Sequence, residues 1–463
     1  RISLRVRHQM ERRKFLELMG YGLASGLLPW RGIDALADTA SSTPLLFCFN
    51  ARGGWDPTIH CDPQGHENYA YFGDADIRET STGIRYAPMR HGNWNADQNT
   101  DDLEDDYNVG PVDARQSYFE KYKNDLLVIN GIDAQTVSHD VGTRNTWSGT
   151  TREGHPCLAA LAASIHGHSQ PVPFITTGGF DATAGLLAPT RSGDTDTLLA
   201  LVQPFKIRQQ QTYNDLMPPS VQALIADAQT QRLNAQSARS RLPRRQDVST
   251  RLGALRLGEN SMSELGTRLE EISALSIHRP VDNGLVEGID LAVAGMLSGI
   301  TTSAQFVVTG FDTHQDHFDY DDGQRSRLKT LFEAQDYTVE LLKAVGLYER
   351  AVFMMGSDFG RTRINSPEEM GKDHWSVTSM MLMGQGIRGG RTLGQTWVDD
   401  CRRGVSASMI DPDTLQPTSD VLRGVYISPA HIHLALRNKL DLAAHGTAAK
   451  FPFSDVNYLP LLD

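Results

Sequence analysis

The sequence contains little cysteine, no internal repeat and no long apolar run after its first 37 residues. Its four cysteines are too few and too widely spaced for a disulfide framework or a zinc ribbon. Cys48 and Cys61 flank one loop, so they form either a single disulfide or two buried free thiols. The absence of a repeat with a period of about 20 to 50 residues excludes solenoid architectures. Because no later run of about 18 apolar residues occurs, the sequence predicts no stable membrane span beyond residue 37.

An excess of positive charge is also missing. The net charge is −12, and the first 37 residues carry seven Lys/Arg against three Asp/Glu, so the remainder sums to −16. Nucleic-acid-binding domains usually have a basic surface, so we expect no nucleic-acid partner. Charged residues at 22%, hydrophobic residues at 40% and aromatic residues at 8% are ordinary for a soluble globular protein. This composition excludes collagen, a coiled coil, extensive disorder and a polytopic membrane protein.

The N-terminal segment has the pattern of an export signal. Residues 12–16 read Arg-Arg-Lys-Phe-Leu, residues 18–30 are apolar and rich in Gly and Ala, and residues 35–37 read Ala-Leu-Ala. This order predicts a twin-arginine signal peptide over residues 1–37, ahead of a signal-peptidase site. The apolar stretch is short for a membrane span and Glu17 lies beside it, which favours a cleaved signal over a retained anchor or an ordinary basic helix. The remaining chain is expected in the periplasm or otherwise outside the cytoplasmic membrane.

Strand and helix patterns alternate along the rest of the chain. Short apolar runs that end in Gly- and Asp-containing turns predict buried strands at 45–49, 126–129, 174–177, 305–309, 351–355 and 380–383. Helical periodicity predicts helices at 285–297 and 324–345, the second ending before Gly346. We therefore predict one α/β domain over residues 38–463, with a mostly parallel central sheet flanked by helices. Residues 62–112 and 205–280 do not fit the alternation and are predicted to be a loop-rich and a helical insertion.

Acidic and imidazole side chains follow four of the predicted strands. They are Asp56 after the first strand, Ser138, His139 and Asp140 after the second, Asp312 and His314 after the fourth, and Asp358 after the fifth, with His374 in the segment that follows. Because parallel strands end at one edge of a sheet, these side chains should lie close together. Asp and His are common ligands of divalent metals in proteins. The pattern therefore predicts a metal site that could clamp a phosphoryl or sulfuryl oxygen and activate a hydroxyl nucleophile.

Six motifs taken in order resemble one family. They are residues 12–16, the Arg-Gly-Gly-Trp-Asp turn at 52–56, Gly-Phe-Asp-Thr-His at 310–314, Ser-Asp-Phe-Gly-Arg-Thr at 357–362, Asp373-His374 and Gly-Ile-Arg-Gly-Gly at 386–390. This set resembles the exported bacterial domain-of-unknown-function family 1501, which is similar to the alkaline phosphatase and sulfatase superfamily. The resemblance implies an alkaline-phosphatase-like α/β fold.

The same resemblance implies roles for individual residues. It matches the metal ligands of the superfamily to Asp56, Asp312, His314, Asp358 and His374, while Phe359 stands where alkaline phosphatases have a further histidine. It places a nucleophile at the start of the helix after the second strand, where Thr143 fits best and Ser138 comes next. Arg144 and Arg361 could hold an anionic substrate or form structural ion pairs. No cysteine has the setting that a sulfatase with a modified Cys requires.

The expected function is a metal-dependent hydrolase of phosphate or sulfate esters. The substrate would be an anionic small molecule or envelope polymer, and the divalent metal would be zinc, magnesium or calcium. The alternative is a noncatalytic exported protein that keeps the fold and one metal while binding a partner or an envelope polymer. A third interpretation is a transferase or mutase that acts on a phosphorylated envelope component.

Overall fold

The computed structural model describes residues 43–65, 77–87, 118–191, 206–209, 212–215, 217–239, 264–280, 283–319, 322–365, 370–399, 401–453 and 456–463. The predicted signal peptide at 1–37 and most of the predicted loop-rich insertion at 62–112 lie outside these residues. The insertion predicted at 205–280 is described in part, as a short hairpin and a polar helix of 21 residues.

Eighteen strands and seven α-helices have their bounds within these ranges, and residues 264–273 are helical as well. The strands are β1 (Leu45–Ala51), β2 (Arg78–Glu79), β3 (Arg85–Tyr86), β4 (Leu127–Asp133), β5 (Phe174–Thr176), β6 (Thr190–Arg191), β7 (Lys206–Gln209), β8 (Thr212–Asp215), β9 (Ser303–Val308), β10 (Ala351–Ser357), β11 (Gly360–Ile364), β12 (Lys372–Trp375), β13 (Val377–Gly384), β14 (Arg391–Leu393), β15 (Thr396–Trp397), β16 (Ser406–Ala407), β17 (Met409–Ile410) and β18 (Pro417–Thr418). The helices are α1 (Tyr118–Lys121), α2 (His139–Ser148), α3 (Leu158–His166), α4 (Pro219–Arg239), α5 (Asn283–Leu297), α6 (Gln324–Ala344) and α7 (Pro429–Lys439). Within the described part of the chain, no helix combines the length and the apolar character that a membrane crossing needs.

Eight strands form the central sheet, in the order β14-β4-β13-β10-β1-β9-β5-β6. Every pairing in this sheet is parallel except the two that β13 makes with β10 and β4. All six predicted strands belong to it, so the predicted α/β fold with a mostly parallel sheet is confirmed. Helices α5 and α6 also begin and end within a few residues of their predicted bounds.

The core has one layer on each face of the sheet. Strand β1 is buried along its whole length, and successive side chains of a strand point to opposite faces. Phe47 and Phe49 accordingly pack in one apolar cluster with residues of α5 and α6, whereas Leu46 and Cys48 pack in the other with residues of α2, α3 and α7. Cys61 belongs to the first cluster and Cys48 to the second, and both are free thiols. The alternative of buried free thiols is therefore the observed one.

The loops at the carboxyl edge of the sheet are tied together by buried side chains. Because β13 is antiparallel to its neighbours, it begins at the edge where β1, β9 and β10 end. The two-stranded β11–β12 ribbon connects β10 to β13 along the chain. Gln324, the first residue of α6, donates its side-chain amide to the carbonyls of Gly54 and Phe311 and accepts the N–H of Asp56. Gly53 has φ +121°, and a Cβ there would lie 2.6 Å from the nitrogen of Asp312. A residue without a side chain is thus needed where the β1 and β9 turns meet.

Candidate metal centre

Three histidine side chains converge on one aspartate at the carboxyl edge of the sheet. His139 is the first residue of α2, His314 lies in the loop after β9, and His374 is in β12. Their Nε2 atoms lie 3.3, 3.1 and 3.1 Å, respectively, from the nearest carboxylate oxygen of Asp312. The Nε2 atoms of His314 and His374 are 3.0 Å apart. We call these four residues the His–Asp cluster.

Each imidazole of the His–Asp cluster is oriented through its other ring nitrogen. The contacts are His139 Nδ1 to Asp358 Oδ2 at 2.9 Å, His314 Nδ1 to Asp373 Oδ1 at 3.1 Å, and His374 Nδ1 to the carbonyl of Val137 at 2.8 Å. Each of these partners is an acceptor that a proton on Nδ1 would satisfy, and a ring with its proton there would have an Nε2 lone pair free to bind a metal ion. Metal-ligating histidines almost always donate their second N–H to a carboxylate or carbonyl in this way.

The donor set fits a divalent transition-metal ion. Lone pairs and a carboxylate that face one another repel unless a cation or a proton lies between them. One donor atom from each of His139, Asp312 and His374 lies within 4.8 Å of the others, so that a single ion could contact all three. Nε2 of His139 is buried without a hydrogen-bond partner among the described residues, since its approach to Asp312 lacks hydrogen-bond geometry. Nitrogen-rich sets suit zinc and similar ions better than magnesium or calcium, which prefer oxygen ligands.

Arg361 fixes the charge and position of Asp312. Partial burial raises the pKa of Asp312, but hydrogen bonds from Arg361 and His374 outweigh this effect and bring that pKa to about 2. The carboxylate is therefore ionised at any physiological pH. The buried guanidinium of Arg361 also donates to the backbone carbonyls of Gly53, Gly54, Phe311 and Lys372. Of the two roles open for Arg361, the structural one is observed.

Asp358 lies behind His139 and also contacts the predicted nucleophile. Its buried carboxylate accepts hydrogen bonds from the N–H of Gly53 at 3.1 Å, from Nδ1 of His139 at 2.9 Å and from Oγ1 of Thr143 at 2.7 Å. The hydrogen bond to Asp358 raises the pKa of His139. The oxygens of Asp358 thus face Gly53, His139 and Thr143 and not the space among the three imidazoles, and its predicted role as a metal ligand stays a prediction.

Ser138 and Arg144 have less connection to the His–Asp cluster. Ser138 is an exposed residue that precedes α2, and its hydroxyl does not cap the helix. Arg144 donates to the carbonyl of Thr151 at 2.8 Å and lies 3.4 Å from a carboxylate oxygen of Glu153. Its guanidinium is therefore engaged by the turn after α2.

Asp56 is placed outside the His–Asp cluster, in a buried ion pair. Its carboxylate contacts Nζ of Lys372 and lies 3.0 Å from Nε2 of His317, and all three side chains are fully buried. Burial raises the pKa of Asp56, but Lys372 and His317 outweigh it and hold that pKa well below its usual range. The structure therefore places Asp56 as the anionic partner of a lysine, apart from the His–Asp cluster, and its predicted role as a metal ligand stays a prediction.

Phe359, for which the resemblance suggested the position of a histidine, packs beneath two imidazoles. It is fully buried, and its ring centroid lies 4.9 Å from that of His139 and 4.4 Å from that of His374. A phenyl ring offers no metal ligand, so this position supports the imidazoles by packing alone.

The sequence prediction and the structure share three members of the cluster, Asp312, His314 and His374. The prediction did not include His139 among the candidate ligands, nor Asp373 as the residue that contacts His314 Nδ1. The run Ser138-His139-Asp140 before a helix was the available signal for His139, because a residue at a helix start after a strand faces the same edge as the other candidates.

Solved structures with low similarity to the chain include a sulfatase, a lipoteichoic acid synthase and an alkaline phosphatase. The PsFucS1 sulfatase from Pseudoalteromonas sp. is 9% identical over 92% of this chain and 74% of its own, with a TM-score of 0.32. The lipoteichoic acid synthase LtaP from Listeria monocytogenes is 8% identical over 93% and 81%, with a TM-score of 0.33. The alkaline phosphatase from the Antarctic bacterium TAB5 is 11% identical over 74% and 92%, with a TM-score of 0.28.

No curated protein matches the sequence. Residues 291–425, which contain α6, the β11–β12 ribbon and three of the four residues of the His–Asp cluster, match the family described as "Protein of unknown function (DUF1501)". This match confirms the resemblance to the domain-of-unknown-function family 1501 that the ordered motifs indicate.

Proposed function

We propose that this protein is an exported metal-dependent hydrolase of phosphate or sulfate esters. The observation that carries the proposal is the orientation of three imidazoles, each held through Nδ1 by an acceptor while Nε2 faces Asp312. His139, Asp312, His314 and His374 would hold the ion, and zinc suits this donor set best. The side chains of Asp312 and His314 are each 46% exposed, so a substrate could reach the ion from solvent.

Thr143 is the group that we assign to nucleophilic attack. It lies one helical turn after His139 on the same face of α2, and its hydroxyl donates to Asp358. A bound divalent ion would supply a Lewis acid that lowers the pKa of a nearby hydroxyl and offsets charge on the ester oxygens. In the step we propose, Oγ1 of Thr143 bonds to phosphorus or sulfur, the bond to the leaving alcohol oxygen breaks, and the Thr143 proton passes to Asp358. Ser138 is the next candidate.

Two variants separate the ligand role from the nucleophile role. Asp312→Ala should lose both bound metal and turnover, because it removes the carboxylate on which the imidazoles converge. Thr143→Ala should keep the metal and lose turnover, because it deletes only the attacking oxygen. Metal content and hydrolysis of an aryl phosphate or aryl sulfate are the two measurements. Full activity of Thr143→Ala would exclude Thr143 and make Ser138 the residue to replace.

A noncatalytic binding protein is the second candidate, and two contacts favour it. Phe359 offers no metal donor at a position where the resemblance implies a histidine ligand. Lys372 forms an ion pair with the carboxylate of Asp56, which the resemblance matched to a metal ligand. Such a protein would bind an anionic envelope polymer through the same exposed site. If the metal-loaded protein hydrolyses no ester in a broad phosphate, phosphonate and sulfate panel, this second function replaces the first.

Export through the twin-arginine route is part of the proposal and depends on residues 1–37. Replacing Arg12 and Arg13 with lysine should block translocation, because the paired arginines are the feature that the pathway reads. The measurement is the distribution of the protein between cytoplasm and periplasm. Normal periplasmic accumulation of the double-lysine variant would refute this route.

A further inference from the structure

The carboxylate of Asp56 has no free acceptor position. Oδ1 accepts the N–H of Thr58 at 3.1 Å and its hydroxyl at 2.7 Å, while Oδ2 contacts Nε2 of His317 at 3.0 Å and Nζ of Lys372. An ionised carboxylate offers about four lone-pair sites. Four donors therefore use all of them, and the side chains concerned are buried.

The ammonium of Lys372 is the cation that this buried carboxylate requires. A buried charge without a partner is very costly, whereas a hydrogen-bonded pair with no free lone pair is tolerated. Lys372 Nζ also lies 5.6 Å from the centroid of the Phe318 ring, so an aromatic face supports the ammonium. His317 is fixed in turn through Nδ1, which lies 2.7 Å from Oγ1 of Thr313.

The buried ion pair of Asp56 and Lys372 is connected to the His–Asp cluster through strand β12. Lys372 and His374 are two residues apart in that strand, so their side chains leave the same face about 6.6 Å apart. His314 and His317 likewise come from one loop. The same two segments thus supply both an exposed set of metal donors and a buried ion pair next to it.

We propose that the Lys372 ammonium takes the place of a second metal ion, so that this site binds a single divalent ion. The resemblance to the alkaline phosphatase and sulfatase superfamily matched Asp56 to a metal aspartate, and in this chain its carboxylate is filled by a lysine. The inference rests on the proposed function for the one ion that the His–Asp cluster would hold. Paired metals in hydrolases lie about 3.5–4 Å apart and share the reacting oxygens, and the carboxylate that the resemblance matched to one of them already holds a lysine ammonium.

Metal stoichiometry tests the inference directly. The purified protein is stripped with a chelator, reconstituted with zinc, freed of excess metal, and measured for zinc per chain. We expect one equivalent. Two tightly bound equivalents would overturn the inference and leave the proposed metal-dependent function standing, whereas no bound zinc would overturn the proposed function and the inference together.

A variant of the lysine tests the role of its charge. Lys372→Ala should take up a second, weaker zinc equivalent, because Asp56 and His317 would then lack a cation, whereas the exposed-site control Lys450→Ala should keep one. A folded Lys372→Ala protein that still stops at one equivalent at about 1 mM zinc would overturn the inference. If Lys372→Ala does not fold, the stabilities of Lys372→Met and Lys372→Met/Asp56→Asn are compared. The double variant should be more stable than the single variant, because it removes the unpaired carboxylate as well. Failure of the second change to restore any stability would overturn the role of Lys372 as counter-ion.

Discussion

Replacing Asp358 with asparagine distinguishes a residue that orients a ligand from a residue that is one. In Asp358→Asn, the amide oxygen can take the place of Oδ2 and still accept from the N–H of Gly53 and from Nδ1 of His139. The amide nitrogen then takes the place of Oδ1 and donates to Thr143, whose hydroxyl must accept where it formerly donated. The substitution therefore keeps the packing and the hydrogen-bond count while it removes a negative charge and a proton acceptor.

Two different losses should follow from this change. Weaker support of His139 should reduce zinc affinity by about 10- to 100-fold, the usual effect of altering a residue behind a metal ligand, which corresponds to roughly 1.4–2.8 kcal/mol. Turnover of an aryl ester should fall by about 10²- to 10⁴-fold even at saturating zinc, because the Thr143 proton has lost its acceptor.

Zinc affinity is measured by competition with a chelating dye, and turnover is measured at zinc saturation. Asp413→Asn, at a side chain that is 75% exposed, is the matched control and should change neither quantity. Unchanged zinc affinity in Asp358→Asn would refute the orienting role. A loss of binding as complete as that of Asp312→Ala would instead make Asp358 a direct ligand.

Two other substitutions test the surroundings of the site. Burial raises the pKa of Asp62 to about 6 despite the hydrogen bond from Thr396. The protonated side chain therefore contributes its full stabilisation below about pH 4, and this contribution is lost as the pH rises through 6. The loss lowers the free energy of unfolding by about 3 kcal/mol. Asp62→Asn should therefore raise the free energy of unfolding in urea at pH 8 by up to about 3 kcal/mol and change it little at pH 4, and an equal gain at both pH values would contradict this account. Gly371→Ala would place a Cβ in overlap with the carbonyl oxygen of His314. We expect this variant to lose about 3 kcal/mol of stability or more, together with zinc affinity. Gly446→Ala is its control, because a Cβ there has no atom within 4 Å, and equal behaviour of the two variants would contradict the prediction.

Six strands of the central sheet could be predicted because they are short runs of apolar or β-branched residues that end in turns. Strand β1, for example, is buried on both faces, and a helix in its place would not be so short. Asp312, His314 and His374 could be predicted as neighbours because parallel strands end at one edge. That argument places a side chain at an edge and says nothing of its direction.

The contacts of Asp56 and Asp358 could not be predicted, because the position of a residue after a strand does not give the direction of its side chain. An aspartate after a strand has the same local sequence whether it meets a metal, a buried lysine or the back of an imidazole. Lys372 directly precedes the Asp373-His374 motif, and only the structure of the β11–β12 ribbon shows that its side chain turns inward. The role of His139 depends likewise on the direction in which α2 leaves β4.

The His–Asp cluster draws its members from three distant stretches of chain: the start of α2, the loop after β9, and the β11–β12 ribbon. None of these stretches holds enough donors alone, so an ion can recognise the complete set only after the sheet and the ribbon have come together. An ion that binds only the assembled set stabilises it by about 4 kcal/mol at a thousandfold excess over its dissociation constant. Lifting the ribbon from the sheet edge would require releasing that ion first. If the chain binds an ion as proposed, it would therefore fold first and bind the ion afterwards.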